Sequence, residues 1–165
     1  MKGQHVVFSA GKNDWQTPKP LFDLLNNEFR FTMDGAADAS NHLCPLWFGP
    51  GSVLGEDALQ ESWEGERLWV NPPYTLVKDF IHKGYAERHH ALSVCLIPSR
   101  TDTRYWHNCV WNGATHYWRA GVRGRFLKGR VRFVDPSGAL IRKGSSNSAP
   151  FPSVLVIFGD MSRVT

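Results

Sequence analysis

The residues best suited to chemistry in this 165-residue chain are Asn71-Pro72-Pro73-Tyr74, which follow the apolar run Leu68-Trp69-Val70. Leu68 to Val70 suits a short buried strand. Prolines cannot donate to a sheet ladder, so the strand must stop at Asn71, and the paired prolines stiffen the turn beyond it. An asparagine side-chain oxygen accepts a hydrogen bond from an exocyclic amino group. A backbone carbonyl ahead of a proline supplies a second acceptor. Two acceptors leave the lone pair of the amino nitrogen aimed away from the plane of the base, open to in-line attack. Tyr74 can stack on a flat base, a contact worth about 1–3 kcal/mol. Such a group belongs at the carboxyl end of a strand, where ligands sit in open α/β sheets. The same four residues also fit an ordinary strand-ending turn, since Asn-Pro opens turns.

Other candidates stand at neighbouring strand ends. Asp34 closes the apolar Phe31-Thr32-Met33 and precedes the small residues Gly35, Ala36 and Ala37. An acid there, with helix amides beyond, can bind the polar end of a cofactor; a structural turn is the alternative. Asp57 lies just ahead of the Leu68–Val70 strand, where an acid can accept a cofactor amino group or belong to a solvated loop. Arg100, after the apolar Ala91–Ile97, can meet a phosphate or form a loop ion pair. The charge is unevenly spread. Arg119, Arg123, Arg125, Lys128, Arg130, Arg132, Arg142 and Lys143 face only Asp135, so this segment carries +7 of a chain total of +4 and the remainder sums to −3. A basic concentration of this kind is the footprint of a polyanionic partner, or else a solvated hairpin face.

The elements that must position these groups alternate in type. Thr17 before Pro18 reads as an N-cap for a helix over Lys19–Asn27, with Leu21, Phe22, Leu24, Leu25 and Phe29 on its apolar side. Asp38 to His42 has the makings of a helical turn. Strands are expected over Cys44–Phe48, Leu68–Asn71 and Ala91–Ile97, with a loop at Gly49–Gly55 and a helix over Leu76–Arg88. A further helix, capped by Asp102 or Thr103, runs to about Trp111. Thr115–Trp118, Arg123–Leu127 and Val154–Phe158 read as later strands. Lys128-Gly129 joins Arg123–Leu127 to the alternating Arg130–Val134 in a hairpin with its basic residues on one face. Met1–Asn13 reads as a loose arm and Gly144–Ser148 as a polar loop. Strands alternating with helices and then an antiparallel end predict a mixed, mostly parallel α/β sheet. With no internal repeat and no linker, residues 1–165 read as a single domain without a separate target-recognition domain.

Composition narrows the class. With 42% apolar and 21% charged residues the chain is globular. It has no apolar run long enough to span a membrane and no signal-peptide pattern at its start. Cys44, Cys95 and Cys109 are odd in number and unpaired in spacing, which suits reduced thiols in a cytoplasmic protein rather than a disulfide frame or a zinc site. His82, His89 and His90 show no metal-ligand pattern, so no metal is implied.

Taken together, these pieces resemble the phage DNA N6-adenine methyltransferase (Dam) family. The resemblance is carried by Asp14-Trp15-Gln16-Thr17-Pro18, Thr32-Met33-Asp34-Gly35-Ala36-Ala37 with Asn41, Trp63, and Asn71-Pro72-Pro73-Tyr74. It continues through Leu96–Thr103, Gly129–Phe133 and Ala149–Ser153. It implies a Rossmann-like fold that uses S-adenosylmethionine to methylate N6 of a flipped-out adenine at specific sites in double-stranded DNA. It further implies that Asn71 and the carbonyl of Pro72, stiffened by Pro73, hold the amino group while Tyr74 stacks on the base. Thr17, Pro18, Asp34, Ala36, Ala37 and, on weaker grounds, Asp57 are the implied cofactor contacts. Arg100, Arg125, Lys128, Arg130, Arg132 and Phe151 are the implied DNA contacts. The implied setting is the cytoplasm of a bacterial host, with the gene on a phage or prophage. The chain departs from the Asp-Pro-Phe-x-Gly-x-Gly type of motif common among adenine methyltransferases, having Asp34-Gly35-Ala36-Ala37-Asp38 in its place. Two other readings share the Asn-Pro-Pro-Tyr turn: a protein glutamine N5-methyltransferase, and a catalytically inactive DNA-binding module on the same fold.

Overall fold

The computed structural model describes residues 15–135, 137–140 and 149–164, the side chains of residues 163 and 164 apart. Six strands form the main sheet: β1 Met33–Asp34, β2 Leu46–Trp47, β3 Arg67–Val70, β4 Leu92–Pro98, β7 Val122–Phe126 and β8 Ser153–Phe158, in the order β2-β1-β3-β4-β8-β7. β2, β1, β3 and β4 pair in parallel; β8 is antiparallel to both β4 and β7. Five strands therefore point one way and β8 alone is reversed. β5 Trp111–Asn112 and β6 Tyr117–Trp118 form a separate two-stranded hairpin.

The burial pattern explains the order. Every residue of β4 and of β8 is buried, as expected for central strands covered on both faces. Alternate side chains supply two cores. Trp69, Leu92, Val94, Leu96, Leu155 and Ile157 pack with Phe22, Leu25 and Phe29 of helix α1, Lys19–Phe29. Leu68, Val70, Cys95, Val154, Val156 and Phe158 pack on the other side with Phe80 and Ile81 of helix α2, Val77–Glu87. The result is a sheet between helices.

Several expectations change. Leu24 is 68% exposed, because the buried stripe of α1 runs through Phe22, Leu25 and Phe29 alone. Thr17 does not cap α1. Pro18 is the N-cap residue, and its carbonyl accepts from the amides of Leu21 (3.0 Å) and Phe22 (3.1 Å). Pro20, the second helical residue, has no amide for a cap to bond. The helix after Thr103 is short, with π winding over Trp106–Val110. The antiparallel end of the sheet forms, but Arg130–Val134 is not the partner of β7. β8, buried on both faces, needs a neighbour on each side and takes β7. Segment 130–134 instead crosses to residue 16: Gln16 N donates to the Val134 carbonyl (2.9 Å) and Val134 N to the Gln16 carbonyl (3.1 Å). The Met1–Asn13 arm, Arg142, Lys143 and the Gly144–Ser148 loop lie outside the described residues.

Candidate active site

The parallel strands align the groups that matter. β1 pairs Asp34 with Trp69 of β3, and β3 pairs Val70 with Cys95 of β4. Asp34 and Asn71 therefore emerge on one sheet edge, two strands side by side. A cleft opens there, of about 840 Å³ with its mouth included. Its walls hold Thr17, Asp34, Ala36, Ala37, Asn71, Pro72, Pro73 and Tyr74, so most of the expected catalytic and cofactor residues meet in one place.

Asn71 is held in one orientation. Its Nδ2 donates to the main-chain carbonyl of Trp15 at 2.7 Å. A carbonyl can only accept, so the amide nitrogen must face Trp15, leaving Oδ1 as the atom free to accept. Tyr74 opens a 3₁₀ turn, Tyr74–Leu76, closed by Leu76 N donating to the Pro73 carbonyl at 2.8 Å. Its ring meets Trp15 edge-on at 5.4 Å and Phe151 edge-on at 5.1 Å, while Trp15 stacks on Phe151 at 5.7 Å. The Tyr74 hydroxyl is buried without a partner among the described residues, and burial pushes its pKa above the ordinary phenol range.

Asp34 is 3% exposed. Its oxygens accept from Leu43 N at 3.0 Å and Ala36 N at 3.3 Å. Burial drives its pKa up from 3.8 to about 6, against the opposing pull of those amides and of His42. Thr17 Oγ1 is buried and unpaired on the same wall. Among the described residues no Lys or Arg lines the cleft, whereas Asp34 and Asp38 do.

Two expected cofactor residues lie elsewhere. Asp57 is not on the cleft wall; its Oδ1 accepts from Leu59 N at 3.0 Å and closes a local turn. Pro18 lines an adjoining groove instead, together with Leu21, Leu127, Lys128, Arg130, Val131 and Arg132. Lys128, Arg130 and Arg132 are exposed around that groove, and Arg100 is exposed just beyond β4. Phe126 at the end of β7 pairs with Val154, and Pro98 pairs with Ser153, so all these cations leave the sheet at the edge that carries Asn71. Arg125 differs. Both of its terminal nitrogens bond the Glu28 carboxylate, and its guanidinium lies 5.2 Å from the centre of the Phe29 ring. Phe151 is half-buried against Trp15 rather than standing free.

Sequence reasoning assigned no role to Trp15, Gln16, Asp38, Asn41, Leu43 or Trp69, all on the cleft wall. Trp15, Gln16 and Asn41 belonged to the quoted motifs and could have been found there. Asn41 Oδ1 accepts from Asp38 N at 2.8 Å and shapes the turn below Asp34. Leu43 acts through its backbone amide, which no side-chain pattern reveals.

Comparison with known proteins gives the family. A DNA N-6-adenine-methyltransferase of Escherichia phage T1 is 23% identical over 112 residues, covering 66% of this chain and 45% of that protein. The chain thus spans less than half the length of that curated relative. The pattern of the DNA N-6-adenine-methyltransferase (Dam) family matches residues 5–164. With nearly its whole length matched and the Asn-Pro-Pro-Tyr corner at the mouth of its cleft, the chain belongs to the Dam family.

Proposed function

We propose that this protein is an S-adenosylmethionine-dependent enzyme that methylates N6 of adenine in double-stranded DNA at specific sites. The observation that carries the reading is the separation of charge around one cleft. Inside, Asp34 and Asp38 line a space without Lys or Arg among the described residues; outside, Arg100, Lys128, Arg130 and Arg132 leave the same sheet edge. A cationic cofactor suits the interior and a polyanion suits the rim. The single reversed strand in an otherwise parallel sheet supports a Rossmann-like methyltransferase fold.

The residues present suit S-adenosylmethionine. Buried Asp34 is a counter-charge for a cation, and the Thr17 hydroxyl is a donor without a partner among the described residues. Ala36 and Ala37 keep that wall low. Bound S-adenosylmethionine supplies an electrophilic methyl group on a sulfonium sulfur. A base within a duplex cannot reach the cleft, so the target adenine is extruded, at a cost of a few kcal/mol. Stacking on Tyr74 offsets part of that cost. Asn71 Oδ1 and the Pro72 carbonyl accept from the N6 amino group, turn its lone pair toward the methyl, and stabilise the positive charge that builds on nitrogen. The exposed cations of the rim grip the backbone without reading sequence.

The test is transfer of tritiated methyl groups to unmethylated duplex DNA and, in parallel, to a glutamine-containing peptide, followed by sequencing of the modified bases. Label in N6-methyladenine is the expected result. Label in the peptide alone, or none in either substrate with cofactor bound, overturns the reading.

A further inference from the structure

We propose that the main-chain carbonyl of Trp15 is a positioning group for Asn71, and that segment 130–134 holds it in place. The proposal deepens the methyltransferase reading and rests on it for its kinetic arm only.

A free asparagine side chain can turn its amide over at little cost, since its terminal torsion is broad and roughly two-fold. In the flipped state Nδ2 faces the incoming amino group, donor against donor, and the site cannot accept the substrate. Removing that state needs an acceptor on the nitrogen side. Trp15 O is that acceptor, at 2.7 Å. It lies 56 residues away in sequence, so local structure around Asn71 does not hold it there.

What holds it is the crossing strand. The paired bonds between Gln16 and Val134 clamp the backbone one residue beyond the Trp15 carbonyl. The Trp15 ring is wedged between Phe133 at 5.4 Å and Phe151 at 5.7 Å. Segment 130–134 is itself tied at its other end, where Ala149 N donates to the Val131 carbonyl at 2.9 Å. Neither Phe133 nor Val134 lines the cleft. Arg130 and Arg132 stand exposed on this same segment, alternating with buried Val131 and Phe133. The segment that presents two cations to the backbone of DNA therefore also sets the orientation of the acceptor amide.

Val134→Pro removes the Val134 amide and loosens the clamp without touching the cleft. The expected result is a methyl-transfer rate, at saturating S-adenosylmethionine and unmethylated duplex DNA, lower by about tenfold or more, with cofactor affinity changed less than about threefold. In an Asn71→Ala background the same change should cost less than about twofold, because the group it acts through is gone. An equal loss in both backgrounds, or a wild-type rate in V134P, overturns the proposal. A second readout needs no DNA. The Asn71 side-chain amide signal in a nitrogen-15 spectrum, identified by its absence in N71A, should exchange with solvent at least about tenfold faster in V134P than in wild type. Unchanged exchange overturns the positioning role, whereas failure of the wild type to methylate DNA overturns only the functional reading. If V134P does not fold, an ester in place of the peptide bond between residues 15 and 16 weakens the Trp15 carbonyl as an acceptor, removes the Gln16 amide that bonds Val134, and keeps every side chain. It is then read by the same spectrum and the same cycle.

Discussion

In the proposed reaction Asn71 offers one atom, its Oδ1, because the other end of the amide is tied to Trp15. Replacing it with alanine removes a preorganised acceptor and leaves the Trp15 carbonyl without a partner. Asn71→Ala should lower the methyl-transfer rate by roughly 10²-fold or more while leaving cofactor binding near wild type. Single-turnover kinetics checks this, and wild-type turnover in pure N71A defeats the assignment. Asp34 carries the expected pH dependence of the proposed cofactor site. Burial raises its pKa to about 6 from 3.8, so ionisation costs stability: the cost is absent below 3.8, grows between the two values and is complete above 6. A bound cation reverses that preference by pairing with the carboxylate. Affinity for S-adenosylmethionine should therefore fall as pH drops through about 6, approaching tenfold per unit, and Asp34→Asn should both weaken binding and flatten the profile. Titration calorimetry from about pH 5 to about pH 7 reads both effects; a wild-type affinity independent of pH over that range would remove Asp34 from the cofactor site.

At the scale of elements, the core on the α2 face depends on how closely α2 approaches the sheet. Gly84, buried in the middle of α2, makes that approach possible: a Cβ there lies 2.7 Å from the Phe158 ring of β8. Two effects compete in Gly84→Ala. Alanine is the better helix former by about 1 kcal/mol. Overpacking against a fully buried ring costs about 1–3 kcal/mol. The ring sits in the strand between β4 and β7 and cannot yield without disturbing both. The expected outcome is a melting temperature lower by a few degrees, and a rise instead means that the sheet relaxes around the added methyl. Gly49 makes the matching approach behind Ala37. Its φ is +139°, and a Cβ would meet the Ala37 carbonyl, so the loop after β2 can pack behind the Ala36–Ala37 wall only as glycine.

The molecule as a whole separates charge. An acidic cleft and a basic rim share one edge of the sheet. Each cation that neutralises a phosphate adds to the salt dependence of binding. Lys128→Ala, Arg130→Ala and Arg132→Ala should each reduce the slope of log affinity against log salt by about 1 on duplex DNA of any sequence. Arg125→Ala should leave the slope unchanged, because that guanidinium is already engaged by Glu28, and its exposed ion pair contributes at most about 1 kcal/mol to stability. Anisotropy titrations across a salt series separate the two cases. A reduced slope in R125A would mean that Arg125 leaves Glu28 for the phosphates.

Much of the cleft was legible from residue order alone. The strand stop at Asn71, the stiff turn to Tyr74, the acid at the end of β1 and the all-apolar central strands are dictated by proline chemistry and side-chain alternation, which act between neighbours. The loss of Thr17 as a cap follows locally from Pro20, which has no amide to offer, but the partner of β7, the diversion of Arg125 to Glu28 and the exclusion of Asp57 from the cleft were not legible. Each depends on which surfaces meet once two cores are buried on opposite faces of the sheet. The hold of Trp15 on Asn71 is of the same kind. Its acceptor is a backbone atom with no residue signature, and only the crossing of a distant segment decides where that atom lies.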